Sequence, residues 1–131
     1  MIYAIEGLAV LGEGAKVADL YPQASEIAKR VPVVLHMGLM TQTVAGIAAA
    51  AGEQWDNAVA HFEASLRQAQ EFPHKLEQPQ VRYWYAKMLT NRDAAGDHDH
   101  ACRLLAESIE AYGTIGFPRH LEMARELVAK L

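Results

Sequence analysis

The chain has 131 residues, 51% of them hydrophobic, and a formal net charge of −4. This length suits one domain with a core of its own, and the apolar content excludes a disordered chain. The basic residues are scattered and outnumbered by acidic ones, so there is no electrostatic footprint for nucleic acid and no attraction to an anionic membrane surface.

One cysteine, Cys102, excludes an internal disulfide framework and fits a reducing cytoplasm, the expected location. The N-terminal apolar run contains Glu6 and lacks a basic leader, so no secretory signal is read there.

Seven helical segments are expected in chain order. The first covers Ile2 to Leu11 and stops at the Gly12-Glu13-Gly14 break. The second runs from Ala15 to Arg30; Pro22 kinks it or moves its start, with Asp19 as cap. The third runs from Val33 to Ala51. The stretch from Val31 to Gly52 has no Asp, Glu, Lys or Arg, and its length would span a bilayer. His36, Thr41, Gln42 and Thr43 at its centre, followed by alanines, argue instead for a helix buried on most sides by its neighbours.

The fourth helix covers Trp55 to Phe72, with Pro73 beyond it. Trp55, Ala58, Val59, Phe62, Leu66 and Ala69 recur at helical spacing, and Glu63 and Arg67 form an i,i+4 pair on the outer face. After a polar loop between Pro73 and Pro79, the fifth runs to Ala95 with Val81, Trp84, Tyr85, Met88 and Leu89 inward. Gly96 ends it, and Asp97 or Asp99 caps the sixth, which continues to Ile115. Pro118 opens the seventh at its first turn, with Leu121, Ala124, Leu127, Val128 and Leu131 on one face.

These helices repeat. A glycine is followed by a small residue, a large one four positions on, and a small one three further. The three instances are Gly12 with Val17, Tyr21 and Ala24; Gly52 with Ala58, Phe62 and Ser65; Gly96 with Ala101, Leu105 and Ser108. The first anchors lie 41 and then 43 residues apart. Small anchors let helices approach closely, the large one fills the gap, and the glycine ends the preceding helix in a left-handed cap. Hairpins of this kind must stack to bury their apolar faces.

The pattern resembles the tetratricopeptide repeat, most closely in YWYAKMLTNRDAAGDHDHACRLLAESIEAYG. The blocks DLYPQ, GEQWDNAVAHFEASL, RYWYAKML, GDHDHACRLLAESI and IGFPRHLEMA, in that order, are similar to the C-terminal helical-repeat region of bacterial adenylate cyclase–ATPase fusions and LuxR-type regulators. The resemblance implies an all-α, tetratricopeptide-like α-solenoid spanning residues 1–131. Its hairpins would cover about 2–30, 33–72 and 79–115, with a capping helix at about 118–130. It also implies a non-catalytic interaction or regulatory module, or alternatively a domain that senses a small effector. By the same resemblance Gln42, Tyr83, Ala86, Thr90 and Asp93 face a groove lined by the first helix of each hairpin.

No residue constellation argues for chemistry or a cofactor. Asp97-His98-Asp99-His100 has metal-ligand chemistry, but neighbours in a turn rarely converge, and the run falls where such hairpins place turns and caps. His36, His61 and His74 show no triad spacing, Arg119 is a possible contact at a helix start, and Cys102 is expected to be buried packing. The expected partner is a protein or the chain's own upstream domains, with neither nucleic acid nor membrane. Ile2, Tyr3, Ile5, Leu8 and Val10 lack a polar cap; either preceding repeats cover them or the N-terminal hairpin pairs with a second copy.

Overall fold

The computed structural model describes residues 1–31, 40–71 and 74–131. Every regular element among them is helical: α1 (Ile2–Val10), α2 (Gly14–Asp19), α3 (Tyr21–Arg30), α4 (Thr41–Ala51), α5 (Trp55–Glu71), α6 (Glu77–Arg92), α7 (Asp97–Ile115) and α8 (Pro118–Val128).

The additional helix arises at Leu20, which divides the expected second helix into α2 and α3. Pro22 falls in the first turn of α3, where its missing N–H would have had no intrahelical partner. Asp19 ends α2 and caps nothing; no side chain caps α3. The expected third helix is also shorter. Met40 is extended, with φ −60° and ψ 148°, so α4 starts at Thr41. The portion expected at 33–39, including His36, lies outside the described residues, as do Phe72 and Pro73. Among the described residues no helix is long and apolar enough to cross a membrane.

Left-handed turns are placed differently from the expectation. Gly12 has φ +79° as expected, but Gly52 does not; its neighbour Glu53 does, with φ 55°. In the next hairpin Asp93 takes the left-handed position that ends α6, and Gly96, left-handed as expected at φ +86°, becomes the N-cap of α7. Short polar residues tolerate this conformation better than most. Here Asp93 is tied by its N–H to the Leu89 carbonyl at 3.0 Å.

The core is organised around α4. Eight of its eleven residues are buried, so it is enclosed on nearly every side, packing against α1, α2, α3, α5 and α6. Its alanines make this possible, because short side chains let backbones approach. At Gly46 even a methyl group is too large: a Cβ there would lie 2.9 Å from the Phe62 ring. Each long helix packs on the next in sequence, α4 on α5, α5 on α6, α6 on α7 and α7 on α8, while α3 also packs on α4.

The repeated anchors occupy this core. Eight of the nine are buried, Tyr21 alone being partly exposed. The two serine anchors reach back to the other helix of their own hairpin. Ser65 hydrogen-bonds Thr43 at 2.6 Å, and Ser108 donates to the Pro79 carbonyl. Their small size admits a close neighbour, and their hydroxyls satisfy polar groups that the approach buries.

Candidate functional site

The α6 helix explains where the expected groove residues go. Tyr83, Trp84, Tyr85 and Ala86 are consecutive and all buried. Four consecutive helical residues sweep the whole circumference, so α6 is surrounded rather than one-sided. Tyr83 is 9% exposed, edge-on to Trp84 at 5.3 Å, and Ala86 is fully buried. Neither can form a groove floor open to a partner. Thr90 is partly buried and donates to the Ala86 carbonyl at 2.9 Å. Asp93 is exposed in the α6–α7 turn. Gln42 is half-buried and bonds His61 Nδ1 at 2.7 Å. The five do not share one surface.

A cleft of about 220 Å³ lies instead one residue further around α6, walled there by Trp84, Lys87, Met88 and Asn91. Its other walls are Ile47, Ala50 and Ala51 of α4, Phe62 of α5, Ala9 of α1, and Gly12, Gly14 and Val17 at the α1–α2 turn. The cleft therefore opens between α1, α4 and α6, with a set of α6 residues different from the expected one. Position 84 has the signature of core and position 87 that of solvent, so sequence spacing alone gave no reason to combine them.

The walls are mostly apolar. Phe62 stacks on Tyr85 at 5.3 Å between ring centroids, and the Tyr85 hydroxyl donates to Glu63 at 2.8 Å. Glu63 is thus engaged across the α5–α6 interface rather than with Arg67. Among the described residues, the one charged side chain in the walls is Lys87. Its ammonium sits over the Trp84 ring, 4.8 Å from the centroid, a cation–π arrangement. Burial, and then the nearby Lys130 charge, push its pKa down.

A second polar centre was missed in sequence, where residues 73–79 were read as loop. Glu77 is only 1% exposed. Its Oε1 accepts hydrogen bonds from the Thr43 hydroxyl and from the Met40 N–H at 3.1 Å. With Ser65 beyond Thr43, this chain ties the starts of α4 and α6 to α5. Burial raises the Glu77 pKa to about 7, outweighing the Thr43 and Met40 hydrogen bonds, and Glu6 raises it further. Glu6 itself is raised by burial.

The Asp97–His100 run diverges. Asp97 is buried and accepts a two-pronged contact from Arg92 at 2.8 and 2.6 Å, plus the Ala94 N–H at 2.9 Å. It secures the preceding turn instead of capping α7. His100 meets the edge of Tyr85, while Asp99 is exposed. Cys102 is exposed, not buried, with Sγ 3.8 Å from His98 Nε2. Arg119 is exposed and pairs with Glu122 at 2.9 Å. His74 Nδ1 accepts the Glu77 N–H at 3.2 Å. His61 joins Gln42 to the Tyr21 hydroxyl, the latter at 3.4 Å; burial and then Lys29 push its pKa down.

No protein-family model, curated protein or solved structure matches this chain.

Proposed function

We propose that this chain is a non-catalytic, tetratricopeptide-like interaction or regulatory module that docks a protein: a partner, a second copy or a neighbouring domain of its own chain. The stacking order of the helices and the burial of the repeated anchors support the solenoid reading. The resemblance to bacterial signalling proteins supports the regulatory one.

The observation that carries docking is the outer face of α1. Tyr3, Val10 and Leu11 are 60%, 52% and 78% exposed, while Ile5 on the opposite side is fully buried. Ala4 and Gly7 are exposed between them, and no charge interrupts the strip. An apolar surface of this kind at the end of a stack marks a place where something else packs.

A photo-crosslinker placed at Val10, 52% exposed on the same strip, is expected to capture a protein, or a second copy of the chain. The same label at exposed Glu107 should not. Tyr3→Glu with Leu11→Glu should abolish that capture while leaving helicity intact. The docking reading fails if the double variant leaves every association and the light-scattering mass unchanged.

A second reading, sensing of a small effector, draws support from the cleft between α1, α4 and α6. Its walls, drawn from α1, α2, α4, α5 and α6, would couple occupancy to the spacing of the stacked hairpins.

A further inference from the structure

The cleft contains an unbalanced charge. Lys87 is half-buried at its wall, held over Trp84, and none of the ion pairs among the described residues uses it. The other charge identified as acting on it is a second cation, Lys130. This is unusual in a chain of net charge −4, where carboxylates are plentiful. A half-buried ammonium gains most from an anion that displaces water and hydrogen-bonds to it directly.

The rest of the cleft limits what that anion can be attached to. Its volume of about 220 Å³ equals about seven waters at their liquid share of ~30 Å³ each. That is below the usual range of about 300–1,000 Å³ for drug-sized ligands. Trp84 keeps 6% of its surface exposed, against 0% for Phe62 and 1% for Met88, so it is the aromatic wall a ligand meets, and an indole suits a small, flat, unsaturated body. Asn91, exposed at the mouth, lies one turn along α6 from Lys87 and can serve a second carboxylate oxygen.

We infer that the cleft binds a small aromatic monocarboxylic acid, with its ring against Trp84 and its carboxylate on Lys87 and Asn91. The inference rests on the effector-sensing reading above and names its ligand class. It is independent of docking through α1. The Lys87 shift has the sense expected of a cation awaiting a counter-ion: a bound carboxylate would restore its preference for the charged form.

The test uses three phenyl probes on the full chain, the isosteric pair phenylacetate and phenylacetamide and the cation 2-phenylethylamine. Nitrogen-edited NMR follows the two indole N–H signals. Trp84 should move on adding phenylacetate, while Trp55, which is not part of the cleft, should not. Phenylacetamide should bind on the order of tenfold more weakly and the amine more weakly still. Added salt should weaken the acid and leave the amide unchanged. Lys87→Met keeps the apolar stem, and it should erase the preference for the acid while the folded spectrum is retained. If acid and amide bind alike, or Lys87→Met leaves the preference intact, the ligand class is wrong while effector sensing survives. If none of the three moves Trp84, both the ligand class and the sensing reading fall, and docking through α1 is unaffected.

Discussion

The Thr43 hydroxyl donates to the carboxylate of Glu77, joining the first turn of α4 to the first turn of α6 deep in the core. An acid this buried favours its protonated form, which leaves the other hydrogen bonds of the site intact while removing the cost of an enclosed charge.

The folded pKa of about 7 lies above the ordinary 4.5, so the sign of the pH effect is fixed. Below pH 4.5 both folded and unfolded states hold the proton and the full contribution is present. Between the two values the unfolded chain loses the proton first, so stability falls as pH rises, by roughly 3 kcal/mol across the interval. Glu77→Gln should flatten this slope. Urea denaturation should find the variant close to the parent at pH 4 and more stable at pH 8. Parallel stability–pH curves would show that Glu77 titrates normally.

Asp97 behaves in the opposite sense. The Arg92 hydrogen bonds hold its pKa below the ordinary 3.8, so its contribution is present above that value and is lost as pH falls further. Asp97→Ala removes both Arg92 contacts and the partner of the Ala94 N–H. A loss of about 2 kcal/mol is expected, together with faster hydrogen exchange at Ala94. Exchange unchanged at that amide would show that the turn holds without the carboxylate.

Gly46→Ala tests the closest approach in the fold. The added methyl would meet the Phe62 ring at 2.9 Å. That ring is stacked on Tyr85 and has little room to yield. Overpacking of about 1–3 kcal/mol should exceed the gain of up to ~1 kcal/mol in helix propensity. The melting temperature should therefore fall, whereas a rise would mean that α4 and α5 part easily.

Phe62→Ala removes a fully buried ring and should cost about 3–5 kcal/mol. Phe62 also walls the cleft, so Phe62→Leu is the more informative partner variant. It should cost less while shifting the Trp84 indole signal. An unmoved Trp84 signal would separate the two rings.

The apolar periodicity of the sequence, its glycine breaks and its small–large–small anchors determined an all-helical chain with its core residues placed nearly correctly. These signals are local: helical spacing selects the buried positions 58, 62 and 65, or 101, 105 and 108, whatever they pack against. Rotation of an enclosed helix is different. All four residues from Tyr83 to Ala86 are buried, so no periodicity remained to show which side meets the cleft, and the expected groove face fell one residue away. Glu77 and Cys102 were misplaced for a related reason. A carboxylate becomes a core residue only when donors from a distant segment, here Thr43 and Met40, arrive to receive it, and a thiol is buried only if a neighbour covers it. Such pairings between distant segments belong to tertiary structure, where the arrangement of the helices around α4 decides them.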